Sequence, residues 1–314
     1  MRALACAALL AGLVPSLAAQ VRAGGRIVRL AGSDTVAVPA VAVVLHRVGP
    51  RRQGPVDTAV TDVRGRFRFS FAPDSGAAFL LSSRFAGIEY FSRPVSADPA
   101  LADTAVTLIV ADTSSRQPVT VRQRTLLVSR ADESGTRIVI DWIVLSNQGP
   151  ATRVSPDTVR PSWGAPLPEA AQNVEMADSR LSQFAPEAIA FRGDSVLLFA
   201  PLSPGDKELM LQYRIPGELK RFVVPAQVDD SVFVLVEEAG ARVVTPVLAV
   251  ADSQMIEGRP FRRFAGTMAG AGSLEIALGG SGVSSGQLLV ILVAILAAGF
   301  LVLGWRLATR PRRS

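Results

Sequence analysis

From Leu288 to Trp305 the chain reads LLVILVAILAAGFLVLGW, 18 consecutive residues without a charge. At about 1.5 Å rise per residue, a helix of that length covers roughly 27 Å, close to the ~30 Å hydrocarbon core of a bilayer. A helix packed in a soluble domain keeps polar residues on one face, and this run has none. The stretch therefore predicts a single membrane-spanning helix over 288–305, with the lipid bilayer as its partner. Arg306, Arg310, Arg312 and Arg313 follow at once, and no acidic residue lies beyond Glu275. Basic flanks stay on the cytoplasmic side, so the basic tail 306–314 is expected inside and residues 20–287 outside, with Trp305 at the interface.

The opposite end agrees with that orientation. Residues 1–19 carry one charge, Arg2, then an apolar stretch from Ala3 to Val14, a Pro15 break and small residues, the layout of a secretory signal peptide. Cleavage is expected after Ala18 or Ala19. The chain's single cysteine, Cys6, lies within that stretch, which leaves the mature protein without disulfides, thiolate chemistry or cysteine metal ligands. An external chain of this size without disulfides points to a bacterial inner (plasma) membrane, with the N-terminal domains periplasmic or extracellular. Once Arg2 and the four tail arginines are set aside, 28 basic residues face 27 acidic ones. A nucleic-acid partner needs a concentrated basic face, and no such run appears in the sequence.

The external part reads as all-β: short runs rich in Val, Thr and Phe, separated by Pro and Gly, with no long helical pattern before the anchor. Expected strands are Arg26–Leu30, Val38–Arg47, Thr58–Thr61, Arg66–Phe71, Ala78–Arg84, Ile88–Ser92 and Thr104–Val110. In Arg66–Phe71 three phenylalanines alternate with Arg66, Arg68 and Ser70, the pattern of a strand with one face in a core. The residues Gly25, Val41, Val43, Leu45, Thr61, Asp62, Gly65, Phe67 and Phe69, in that order, resemble the carboxypeptidase regulatory-like domains, also described as transthyretin-like. Phe85-Ala86-Gly87-Ile88-Glu89-Tyr90 is similar to a hairpin of bacterial members. The resemblance covers residues 21–112 and implies a β-sandwich over 20–112 that serves folding or interaction without catalytic residues. The peptidase that such modules accompany needs a zinc-binding His and Glu set, and this chain has one histidine, His46.

Residues 113–118 read as a polar linker, and a second, immunoglobulin-like β-sandwich is expected over 119–278. Its strands are read at Val119–Ser129, Thr136–Ser146, Ser195–Phe199, Glu208–Ile215, Arg221–Val224, Ser231–Val236, Arg242–Val250, Phe261–Met268 and Ser273–Leu278. In the second of these Ile138, Ile140, Trp142 and Val144 share one face, and Pro246 makes the seventh an edge or broken strand. Between Ala151 and Glu187 the chain reads as a long irregular stretch. Gly279–Gln287 reads as a flexible stalk.

Chemical constellations are sparse. A lone histidine supports neither a triad nor a His-based zinc site, and no nucleophile elbow, phosphate loop or dinucleotide fingerprint occurs. Asp132-Glu133 and Asp229-Asp230 read as solvated turns, and Glu237-Glu238 as adjacent carboxylates on opposite sides of a strand. No cofactor and no metal are expected. The candidate partner contacts are Trp163 and Arg160, in the irregular stretch. The sequence thus points to a non-enzymatic, membrane-anchored bacterial envelope protein whose external sandwiches bind a protein or envelope polymer. The alternatives are an accessory subunit of an inner-membrane complex, with the anchor as contact, and a carboxylate-dependent glycan hydrolase.

Overall fold

The computed structural model describes residues 20–279, apart from 33, 51, 75, 97, 99–102, 178–182, 230 and 257. The expected signal peptide, the membrane span, the tail and all of the stalk but Gly279 lie outside the described residues. Among the described residues the elements are strands with one short 3-10 turn, and no helix is long and apolar enough to cross a membrane. The chain divides into two compact units, meeting at Asp112 and Thr113.

The first unit holds eight strands: β1 (Val21–Ala31), β2 (Asp34–Ala37), β3 (Ala42–Val48), β4 (Gly54–Val60), β5 (Arg66–Phe71), β6 (Ala78–Phe85), β7 (Ile88–Phe91) and β8 (Asp103–Val110). One sheet runs β2-β1-β5 with β8 parallel to β1, and the other runs β4-β3-β6-β7. Val21, Ile27, Phe67, Phe69 and Leu108 of the first sheet share one core with Val43, Leu45, Phe79 and Leu81 of the second. Alternation in β5 falls as its sequence predicts: the phenylalanines are buried and Arg66, Arg68 and Ser70 are exposed. β1 extends well beyond the expected Arg26–Leu30, and β2, exposed along its length, carries no apolar pattern to read.

Two glycines set this geometry. The Asp62 carboxylate accepts the backbone N–H groups of Arg64 and Arg66, each at 2.8 Å, which folds the chain back into β5. Gly65 closes that turn at φ +71°, and a Cβ there would stand 2.5 Å from the Ile27 carbonyl oxygen. At Gly25 the register between β1 and β8 shifts, and a Cβ would lie 1.8 Å from the Val106 oxygen, so backbone meets backbone with no room for a side chain. Thr61 accepts the Val41 N–H and donates to the Val38 carbonyl, fixing the chain on both sides of Ala40.

The second unit comprises β9 (Thr113–Ser114), β10 (Thr120–Val128), β11 (Thr136–Asn147), β12 (Thr152–Arg153), β13 (Trp163–Pro166), β14 (Gln172–Met176), β15 (Ile189–Arg192), β16 (Ser195–Leu198), β17 (Gly205–Pro216), β18 (Arg221–Gln227), β19 (Ser231–Val236), β20 (Arg242–Val243), β21 (Leu248–Ile256), β22 (Arg259–Thr267) and β23 (Ala271–Ala277). A seven-stranded sheet runs β14-β17-β11-β10-β19-β22-β21. Smaller sheets are β13-β16-β15, β18-β23-β20 and the pair β12-β9. The main core joins Val139, Ile143, Leu209 and Val234 of the large sheet to Phe222, Val224, Leu274 and Ile276 of β18 and β23, and to Val196 and Leu198 of β16.

Two expectations need correction here, and two others are sharpened. Residues 151–187 are not one irregular stretch: they contribute β12, β13 and β14, and the 3-10 turn Pro186–Ala188 follows. Their partners lie far along the chain, with Trp163 opposite Leu198, so local composition hid them. The segment 113–118, read as a linker, carries β9, which pairs with β12. Ile138, Ile140 and Trp142 share one face of β11, as read, in a second cluster with Met210, Leu235 and Phe261, and the opposite face is buried too through Val139, Ile143 and Leu145. Of the two readings of Arg242–Val250 the broken strand holds: the run is split around Pro246 into β20 and β21, which belong to different sheets.

Candidate functional site

Side chains that converge on a concavity arise in the second unit, where the start of β10, the short strand β13 and the end of β18 meet. Ser162 pins the entry to β13: its N–H and hydroxyl both donate to the Leu198 carbonyl at 2.8 Å, and the hydroxyl lies 2.6 Å from the Ala200 oxygen. Gly164 keeps β13 close to its neighbour, since a Cβ would meet the Leu197 side chain at 3.0 Å. The result is a cleft of about 440 Å³ bordered by Trp163, Arg153, Arg124, Gln227 and Asp229. That volume falls within the ~300–1,000 Å³ of small-ligand sites.

Each bordering group has a distinct state. Trp163 is half-buried, with part of its ring packed against the main core. Arg124, buried behind the cleft, makes a bidentate pair with the fully buried Asp141, at 2.9 and 2.6 Å, and donates to the Pro225 carbonyl. Burial opposes its charge, but Asp141 outweighs burial and holds its pKa above the ordinary value. Burial and the same carboxylate push the Tyr213 phenol well above its usual range, so it stays neutral. Arg153 donates one Nη1 hydrogen to the Gln117 carbonyl at 3.3 Å, while its buried Nε–H has no hydrogen-bond partner. The Asp229 carboxylate accepts the Gly270 N–H at 3.3 Å. Aromatic face, guanidinium, amide and carboxylate thus share one rim, a donor and acceptor set suited to a polar ligand with flat apolar faces.

Of the two contacts named from sequence, Trp163 borders this cleft and Arg160 does not. Arg160 is largely exposed and turned to Asp157, whose carboxyl is held down to about 2 by the backbone N–H and guanidinium of Arg160 and the Val159 N–H. Sequence reasoning missed Arg124, Arg153 and Gln227, which pairing alone brings together from distant segments. His46 is half-buried, with Nε2 2.8 Å from the Ser82 hydroxyl oxygen and its ring beside Phe91. Glu237 and Glu238 are not a pair of free carboxylates. Glu237 takes a fork from Arg259 and the Arg130 N–H, and Glu238 pairs with the fully buried Arg137. Among the described residues no group of three His, Cys, Asp or Glu side chains is placed to hold a metal ion.

No family model matches this chain, and no curated protein matches it. Among solved structures it is similar to the major pilin subunit BcpA of Bacillus cereus, at 10% identity over 81% of this chain and 84% of that one, with a TM-score of 0.19. A score of that size assigns neither topology nor activity.

Proposed function

We propose that the protein is a non-enzymatic envelope protein, anchored in the bacterial inner membrane by residues 288–305, whose external β-units bind an envelope protein or polymer. In this reading each unit is a β-sandwich, transthyretin-like in the first and immunoglobulin-like in the second. The signal-like N-terminus, the apolar run and the arginine tail support the anchoring. The observation that carries the binding is the cleft beside β13, lined by both a half-buried tryptophan and a guanidinium with an unused buried N–H. Among the described residues Asp229 is the one carboxylate on its rim. Glycosidic hydrolysis uses two carboxyls about 5–10 Å apart, so the rim favours holding a ligand over cleaving it.

The test is retention of envelope material by the tagged full-length protein in detergent, beside Trp163→Ala and Arg153→Gln. Truncating a central aromatic contact commonly removes 1–3 kcal/mol of binding, so retention should fall about tenfold or more for Trp163→Ala. Retention unchanged in both variants would overturn the cleft as the binding site. Loss of partners only when 288–305 is exchanged for an unrelated span would replace this reading with the accessory-subunit one. Glycan cleavage abolished by Asp229→Asn would replace it with the hydrolase.

A further inference from the structure

The first unit carries a second feature, which sequence order conceals. Antiparallel pairing of β1 with β5 sets Arg22 opposite Ser70, Gly24 opposite Arg68 and Arg26 opposite Arg66. The alternate residues of both strands, Val21, Ala23, Ile27, Phe67, Phe69 and Phe71, are buried in the core. Arg22, Arg26, Arg66 and Arg68 therefore emerge together on the opposite, solvent-facing side, and all four are exposed. Gly24 and Gly25 place no side chain between them, and the face forms a broad hollow of about 910 Å³ edged by Ser70 and Thr107.

Like charges set directly across a ladder destabilise a sheet, and Arg26 faces Arg66 in that way. Several arginines elsewhere are matched: Arg29, Arg47, Arg122, Arg214, Arg221 and Arg263 hold carboxylates at or near the surface. These four make no ion pair among the described residues. Arg66 does feel the charge of Asp62, but that carboxylate spends its hydrogen bonds on the backbone N–H groups of the turn. Guanidinium stays charged at any physiological pH and offers forked donors that match carboxylate and phosphate oxygens. Among the described side chains the face is a cationic hollow with no carboxylate ion-paired to it.

We infer that this face binds an acidic polysaccharide, through oxyanions of its carboxylate or phosphate groups lying along the β1–β5 ladder. Arg22 and Arg26 are four residues apart on β1, about 13 Å at ~3.3 Å per residue, too far for one small anion to reach both. A chain bearing repeated anions reaches all four. The apolar residues lining the hollow, Phe67, Phe69 and Val106, turn their side chains into the core, so the face offers nothing to insert into a bilayer. It also presents no aromatic ring on which nucleic-acid bases would stack. The inference rests on the envelope-binding reading for the setting of the partner, but its site lies in the other unit, so the two fail separately.

The experiment measures binding of the full-length protein in detergent to immobilised polygalacturonate, with neutral dextran as the blank. Arg26→Gln/Arg68→Gln should weaken binding at least tenfold, and raising salt from 50 to 300 mM should weaken native binding comparably. Arg84→Gln/Arg93→Gln removes the same net charge from exposed positions off this face and should leave binding within twofold of native. Because the first double variant relieves repulsion, its melting temperature should equal or exceed the native value, which separates lost binding from lost folding. Trp163→Ala should bind polygalacturonate normally even if it loses envelope partners. Native-like binding by the first double variant would overturn the inference, as would an equal loss in the control pair. Tighter binding to single-stranded DNA or to vesicles containing anionic lipid would also overturn it, in favour of those ligands.

Discussion

The two units differ in that only the second buries ion pairs among the described residues; both keep others near the surface. In the first, ion pairs stay near water: Arg29 with Asp112 has side chains 36% and 58% exposed, and Arg47 with Asp74 is part-buried at the edge. In the second, Arg124 with Asp141 and Arg137 with Glu238 are at most 6% exposed. The cause is sheet architecture. The exposed face of the first unit's β1–β5 ladder can carry polar residues, and simple alternation keeps them out of the core. Strand β11 runs between β10 and β17 with apolar clusters on both faces, so a polar residue on it is buried whichever way it points. Such a residue needs a partner, because an unpaired buried charge is costly. The partners found are also cross-links. Arg124 reaches from the large sheet to the Pro225 carbonyl of β18, and Arg137 gathers the Gly217 and Gly279 carbonyls while pairing with Glu238.

The contrast breaks most sharply at Arg137. Arg137→Ala leaves Glu238 buried and unpaired and takes a donor from four backbone carbonyls, those of Pro216, Gly217, Leu219 and Gly279. Removing one partner of a buried pair costs about 3–5 kcal/mol. Hydrogen exchange on the full-length protein should show that loss in the second unit, with first-unit protection unchanged. Arg137→Met/Glu238→Leu should regain most of the loss, since a buried pair replaced by apolar residues of similar volume is often neutral. A double variant as weak as the single one would mean that the carbonyl contacts, and not the ion pair, carry the stability.

Acid should separate the units next. Burial works against the Glu237 charge, but the Arg259 fork and the Arg130 N–H overcome it, leaving the folded pKa below the usual glutamate value. The unfolded chain therefore binds more protons through that window. The stabilisation is complete above the ordinary glutamate pKa near 4.3 and fades as pH falls through the lower folded value. Asp74, held low chiefly by Arg47, and Asp62, held low chiefly by the Arg66 N–H, give the first unit a dependence of the same sign. Those carboxyls meet solvent, as Asp157 of the second unit does, so high salt should shrink the first unit's response and leave the part of the second's that Glu237 supplies. Unfolding of each unit between pH 3 and 6, at low and high salt, checks this, and Glu237→Gln should lessen only the second unit's response.

How much of this was legible in sequence follows the same division. The first unit's β5 shows its core face in alternating phenylalanines, and Asp62 to Gly65 announces the turn before it, because those signals are local. In the second unit Glu237-Glu238 looks like a polar surface pair, since nothing nearby reveals that Arg259 and Arg137 arrive from other strands. β13 to β15 were hidden by the prolines and glycines around them, and pairing with β16, or with β17 for β14, supplies what propensity does not. Trp163 stood out as an uncommon large aromatic in a small-residue stretch, whereas Arg153 carried no signal until β12 placed it on the cleft. The four-arginine face was half visible: Arg66 and Arg68 read as the outer face of β5, but the β1 register that brings Arg22 and Arg26 beside them did not.

The smallest effect expected is at Arg29 and Asp112, where β8 ends against β1. The hydrogen bond is short, 2.6 Å, and joins residues 83 apart in sequence, which on geometry alone would suggest an important clasp. Exposure argues otherwise. Water and salt screen both groups, and holding two extended side chains in one arrangement costs rotamer entropy, so exposed pairs typically contribute about 0.2–1 kcal/mol. The β1–β8 ladder, with buried Val106, Leu108 and Val110 beneath it, holds the strand without the clasp. A double-mutant cycle on Arg29→Gln and Asp112→Asn should return a coupling below about 1 kcal/mol that vanishes in high salt. A salt-resistant coupling above about 2 kcal/mol would place this pair with the buried ones of the second unit, and the distinction between the units would then rest on architecture alone and not on where each keeps its charge.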